Sequence, residues 1–339
     1  MTRWALAGVL TVAAGLILTA LAVPAEWILA GILGAGVVAS ATGRELVVNE
    51  HVYRLCRAVI GVIAALPLVR VEASQFLPLL PAGLFVAAVT VGIGLAGGHL
   101  LHRWHRDISL PSAVLSMLAG GASVMPAIAT ELKADVRFVV LGQYLRLLVV
   151  SVTLPLAAAL LATPTSAATA EAAAQPWWAL VILALIVVLG DPVGRCLRIP
   201  VPSVFAPLLL TVAASAAFDV SLAPPAPLRT AAFVTIGWVC GGALSVSALR
   251  SFARHLPAIV AFIAAVMAAC AATAGVLTAW LGMSYFEAYL ATTPGALETV
   301  LALGAEGGAG PGVVVIQLIR LIAVLMIAAW LPRILRRPG

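Results

Sequence analysis

Apolar runs long enough to cross a lipid bilayer make up most of this sequence. They lie near residues 4–22, 25–42, 53–69, 78–101 and 137–162, and again near 177–194, 202–218, 230–248, 257–281 and 312–332. About 20 helical residues match a hydrocarbon core about 30 Å thick. Of the 339 residues 63% are hydrophobic and 9% are charged, whereas a soluble domain carries about 25% charged residues. The chain therefore reads as an integral membrane protein. It reads as all-α, because continuous apolar runs satisfy their backbone groups in lipid only as helices. No stretch is polar enough for a soluble domain. The formal charge of +6 comes from arginines between the runs, which points to cytoplasmic loops and away from nucleic acid as a partner. Cys56, Cys196, Cys240 and Cys270 lie in or beside apolar runs without CxxC spacing and read as packing residues. The start, "MTRWALAGVLTVAAGLILTALAVPAEW", has the make-up of a signal peptide. It also has a counterpart at 177–194, so it is expected to be retained.

The runs recur because the chain reads as two copies. "VPAEWILAGIL" (23–33) aligns with "IPVPSVFAPLL" (199–209), setting Pro24 on Pro200. "VIGVIAA" meets "TIGWVCG", with Gly61 on Gly237. "LAGGASVM" meets "TPGALETV", with Gly120 on Gly295, and Arg146 falls on Arg320. The reading is a membrane repeat over 1–160, an Ala/Thr/Ser/Pro linker over 161–175 and a second repeat over 176–339. Each repeat holds five spans and one segment broken by glycine or Pro-Gly: "ISLPSAVLSMLAGGASVMPAIATEL" (108–132) and "YFEAYLATTPGALETVLALGAEGGAG" (285–310).

Loop charge separates the two topologies these broken segments allow. If both cross the membrane, ten Arg or Lys fall on the N-terminal side and seven on the other. If both are re-entrant, only Arg70 and Arg229 lie outside, against fifteen on the N-terminal side. The positive-inside rule prefers the second arrangement: ten crossings with both termini cytoplasmic. Five crossings per copy is an odd number, so the second copy lies inverted. Inverted repeats with broken helices are the pattern of secondary transporters, which bind substrate near the midplane between the repeats.

The breaks carry the expected chemistry. Gly120, Gly121, Pro294 and Gly295 free backbone groups at membrane depth, where they are tolerated only inside protein or along a wet cavity. The half-helix after each break presents an N-terminus that favours an anion. Ser123 and Thr299 beyond the breaks, with Thr292 and Thr293 before the second, are candidate hydroxyl donors. Arg146 and Arg320 lie near the centres of their spans, where an arginine costs about 2.5–3.5 kcal/mol on insertion scales. Gln143 and Gln317 precede them by three residues on the same face. Such arginines either tie down the carbonyls at the breaks or bind an anionic substrate, most simply a carboxylate. Glu298 is the acid deep in the second break and the candidate for proton coupling. It is expected to pair with Arg320, which leaves Arg146 without a protein partner and closer to substrate.

Cofactors are not expected. "HLLHRWH" sets His99, His102 and His105 three residues apart, yet without acidic or cysteine companions they make a poor metal site. No nucleophile–base pairing or nucleotide fingerprint is present, so an enzyme is not expected.

"TPGALETVLAL" followed by "VVVIQLIRLIAVLMIAAWLP", with the weaker copy "LAGGASVMPAIATEL…LGQYLRLLVVSVTLP", resembles the duplicated bacterial membrane proteins of the AbrB family. "IPVPSVFAPLL" is similar to that family's Pro-x-Pro-Trp-Leu-Leu-Gly-Pro-like element. The resemblance covers nearly the whole chain. It departs at Ala119, Ala296 and Glu298, where the family's breaks carry proline, glycine and serine. Its members carry labels such as regulator of gene expression and ammonia monooxygenase. The expectation is an inner-membrane transporter for a small organic anion, with lipid and substrate as partners and a homo-oligomer left open. A membrane sensor or regulator acting indirectly is the first alternative, and a membrane oxidoreductase the second.

Overall fold

The computed structural model describes residues 2–20, 26–69, 77–119, 125–161, 176–199, 201–242, 256–295 and 297–335. Among them the regular elements are all helices: α1 (Thr2–Ala20), α2 (Glu26–Thr42), α3 (Glu50–Ala65), α4 (Leu79–Trp104), α5 (Leu110–Met117), α6 (Met125–Glu131) and α7 (Val136–Leu160), then α8 (Trp177–Cys196), α9 (Pro202–Phe218), α10 (Ala226–Gly242), α11 (Leu256–Leu281), α12 (Tyr285–Thr292), α13 (Leu297–Glu306) and α14 (Pro311–Leu335). Five are long and apolar enough to cross a membrane: α1, α4, α7, α8 and α11. Of the remaining expected spans, α2, α9 and part of α14 are apolar but shorter, and α3 and α10 have 16 and 17 residues. The linker 161–175, apart from Leu161, and the landmarks Pro24 and Pro200 lie outside the described residues.

Large apolar side chains face outward, the reverse of a soluble surface. Val9, Val12, Leu16 and Ile17 of α1 and Leu185, Val188 and Leu189 of α8 are exposed. Exposed Trp104, Trp177, Trp280 and Trp330 stand near helix ends, where indole suits the membrane–water boundary.

The helices form two compact units, each drawn from both halves of the chain. The first comprises Met1–Glu72, Ser151–Ser251 and Ala296–Pro311. Within it α2 packs on α10 and α3 on α9. Small residues permit both crossings. A β-carbon at Gly61 would strike the Val204 carbonyl oxygen, and one at Gly237 the Ile28 carbonyl oxygen. These two contacts correspond under the sequence alignment, since 204 − 28 equals 237 − 61. α1 joins through Trp238 Nε1, which donates to Thr11 Oγ1 at 2.8 Å. α8 packs along α9, with Gly190 against Pro207.

The second unit comprises Ala73–Val150, Phe252–Gly295 and Gly312–Gly339. α4 packs on α5 and α11 on α12, and Gly98 lets α4 approach the backbone of Val114. A core of Val114, Leu115, Leu118, Met125, Ile128 and Val139 joins α5, α6 and α7. The first broken segment folds back on itself. Ser112 Oγ at the start of α5 accepts a hydrogen bond from Asp135 N, beyond the end of α6, at 2.8 Å. The start of α5 and the residues just beyond α6 therefore lie side by side.

A sequence repeat and a packing unit are thus different divisions of this chain. Arg57, counted in sequence among the loop charges, lies within α3 with its side chain 20% exposed.

Candidate functional site

The second unit holds one local arrangement twice. α5 begins at Ser109, whose side chain accepts from Ser112 N. α12 begins at Ser284, whose hydroxyl and the Glu287 carboxylate cap each other's backbone N–H in a capping box. Both helices stop after eight residues at an extended residue, Leu118 (φ −67°, ψ 121°) and Thr293 (φ −64°, ψ 128°). An abrupt stop leaves the last carbonyls without intrahelical donors. These buried acceptors are met by the Gln-x-x-Arg pairs.

On α7, Gln143 Nε2 donates to Leu115 O at 2.6 Å and Leu118 O at 2.9 Å. Arg146 Nη1 donates to Leu118 O at 3.0 Å, and Nη2 to Gln143 Oε1 at 2.9 Å. On α14, Gln317 Nε2 donates to Leu290 O at 2.5 Å and Thr293 O at 3.2 Å. Arg320 Nη1 donates to Thr292 O at 3.1 Å and Thr293 O at 2.8 Å, and Nη2 to Gln317 Oε1 at 2.6 Å. Carbonyls only accept and guanidinium only donates, so each amide has one workable orientation. The cations also sit at helix C-termini, where the backbone dipole favours them.

Sequence reasoning offered carbonyl tethering and anion binding as rival roles for these arginines, and the tethering bonds are present. Four features go beyond tethering. Arg146 and Arg320 are 4% and 7% exposed, so both cations are buried. Arg320 acts on Arg146 as a nearby like charge. Arg146 Nε has no hydrogen-bond partner among the described residues. The hydrogen-bond partners of both arginines among the described residues are neutral.

Other expected site residues fall differently. Gly120, Gly121 and Ser123 lie outside the described residues. Thr293 and Pro294 are buried and Gly295 is half-buried. The Thr293 hydroxyl donates to Tyr289 O at 2.6 Å and the Thr292 hydroxyl to Cys270 O at 3.0 Å, so both are engaged by neighbouring backbone. His102 Nδ1 lies 2.7 Å from Ile108 O, tying the end of α4 to the turn before α5.

The expected Arg320–Glu298 pair is corrected. Glu298 is on α13 in the first unit, where its Oε1 lies 2.6 Å from Arg57 Nε of α3. Arg146, expected to lack a protein partner, has two. Sequence reasoning missed Arg57. Its one signal is Tyr53 four residues earlier on the same helical face, with the guanidinium carbon 5.4 Å from the ring centroid.

The comparisons with known proteins follow this geometry. No solved structure matches the chain. The Escherichia coli (strain K12) protein named "Putative regulator AbrB" is 29% identical over 334 residues, covering 96% of this chain and 94% of that protein. The family described as "Transition state regulatory protein AbrB" matches residues 27–336. With nearly the whole length matched, the chain belongs to the AbrB family.

Proposed function

We propose that the chain is a bacterial inner-membrane secondary transporter for a small organic anion, held in the second unit against Arg146 and Arg320. The observation that carries this is the pair of buried guanidiniums whose hydrogen-bond partners among the described residues are all neutral. Carbonyls and amides supply dipoles but no compensating charge. A buried cation without a counter-charge is costly in lipid, and an anion lying near both removes that cost. A carboxylate matches the geometry, because its two oxygens accept in the plane in which guanidinium donates.

The inverted-repeat reading supports transport over a static role. The two Gln-x-x-Arg arrangements come from opposite halves of the chain and stand in one unit, as expected of a midplane site between inverted repeats. The fold-back of α5 and α6 favours the re-entrant arrangement, in which each repeat has an odd number of crossings and both termini are cytoplasmic. Glu298 remains the candidate for proton coupling. The family's regulator label accords with transport that alters gene expression through the level of a solute.

Reconstituted protein should accumulate one or more members of a panel of labelled mono- and dicarboxylates in proteoliposomes. Ligand-induced thermal stabilisation should vanish in Arg146→Gln, which removes the free Nε–H, and weaken in Arg320→Gln, and both variants should lower the unfolding midpoint through the lost helix-end bonds. Uptake of none of the panel, or a full ligand shift in Arg146→Gln, counts against the reading.

A further inference from the structure

We propose that the outward face shared by α4 and α11 binds one anionic phospholipid, with its phosphate at Arg103 and Arg106 and an acyl chain lying along α4. This site is separate from the buried arginines and does not rest on the transport reading.

α4 and α11 run antiparallel, side by side, in the second unit. Near one end the rings of Phe85 and Trp280 meet edge to face, with centroids 6.3 Å apart. Toward the other end a β-carbon at Gly97 would strike the Phe262 ring. Ala88, Gly92 and Ala96 of α4 and Ala264, Ala268 and Ala272 of α11 are all exposed. Four-residue spacing sets each group on one face of its helix. A β-carbon at Gly92 would meet nothing within 4 Å. The outward faces of α1 and α8 instead carry valine, leucine and isoleucine. Large side chains break up those faces, whereas this one is smooth, and an acyl chain gains the most contact by lying flat against it.

Charge selects the occupant. The face of α4 continues from Ala96 through His99 to Arg103, both exposed. Trp104 is 69% exposed, and Arg106, in the turn after the helix, is exposed as well. Neither Arg103 nor Arg106 forms a salt bridge among the described residues. Over 103–107 two guanidiniums stand against the single carboxylate of Asp107, so this end is cationic. Arg103 lies about 16 Å along the helix from Gly92, about half the thickness of the hydrocarbon core. A phosphodiester at Arg103 therefore sends its acyl chain over Ala96 and Gly92, while Trp104 stands at the level of the glycerol. A second copy of the chain fits less well. Copies in one bilayer share an orientation and pair about an axis along the membrane normal, so their basic ends would meet at one depth and repel. A zwitterionic lipid brings its own cation to the guanidiniums, and an anionic one does not.

The test uses the full-length protein, delipidated in neutral detergent, with dioleoylphosphatidylglycerol as probe, read by native mass spectrometry and thermal shift. One lipid should stay bound per chain and raise the unfolding midpoint. Dioleoylphosphatidylcholine should bind at least about tenfold more weakly, and glycerol 3-phosphate should give no shift. Arg103→Gln/Arg106→Gln should bind the probe about thirtyfold more weakly, and should fold, because both side chains are exposed. Arg44→Gln/Arg198→Gln removes the same charge from other exposed loops and should bind like the wild type. Gly92→Phe, which sets a ring in the path of the acyl chain, should also weaken binding. Equal losses in the two double variants would reduce the effect to net charge and overturn the proposal. A shift from glycerol 3-phosphate equal to the lipid's would overturn it too, since the acyl chain would then have no role. Lipid-free dimers that Gly92→Phe disperses would put a second copy on this face, with the same consequence.

Discussion

Each of Gln143 and Gln317 serves three partners at once, two helix-end carbonyls and one guanidinium. Leucine matches glutamine in bulk but offers neither donor nor acceptor. Gln143→Leu and Gln317→Leu should each leave buried carbonyls short of donors and a guanidinium N–H unbonded. At about 1–3 kcal/mol for each orphaned group, the loss should reach about 3–5 kcal/mol, read as a fall in unfolding free energy in detergent. A loss under about 1 kcal/mol would mean that water fills these bonds. Sequence showed that this pair is buried twice, because two polar residues three apart in an apolar run stand out. It could not show the partners. Every residue carries a carbonyl, so a backbone acceptor leaves no mark in composition. Glu298, the one acid close in sequence to Arg320, was the tempting counter-ion, yet α13 carries it to Arg57 in the first unit.

At the scale of elements, glycine decides where helices touch. Gly61 and Gly237 were legible as landmarks of duplication, and the structure gives the cause. Each lies where a β-carbon would strike a backbone carbonyl of the crossing helix. Backbone cannot rotate away as a side chain can, so Gly61→Ala and Gly237→Ala should force α3 from α9 and α10 from α2. A destabilisation of about 1–3 kcal/mol is expected. Gly92→Ala and Gly275→Ala meet nothing within 4 Å and should be neutral or stabilise by up to about 1 kcal/mol through helix propensity. Thermal midpoints of the four variants check this, and equal effects in all four would remove the close-approach explanation. The ends of the half-helices were legible for a similar reason, since glycine and Pro-Gly cannot continue them. The fold-back of α5 on α6 was expected from loop charge alone, while the bond that fixes it, between residues 23 apart, left no mark in the sequence.

At the scale of the whole molecule, the interleaved units and the sidedness of the chain make one claim. The chain holds 19 Arg and Lys. Arg146 and Arg320 are buried in helices, and the remaining seventeen divide fifteen to two when the broken segments return to the side they entered. Arg57 weakens that count by one, because the structure pairs it with Glu298. Fourteen to two still favours the same sidedness. An odd number of crossings then places Ala168, in the linker, on the face opposite His105, which follows α4. With Cys56, Cys196, Cys240 and Cys270 replaced, a cysteine at 168 should react with an impermeant maleimide added to intact cells. A cysteine at 105 should react only after the membrane is opened. If both broken segments instead cross, residues 105 and 168 lie on the same side, and both cysteines share one accessibility. Labelling of 105 with protection of 168 would reverse the sidedness and set aside the positive-inside argument. Only reaction at 168 alone in intact cells fits two halves of opposite orientation with a central anion site.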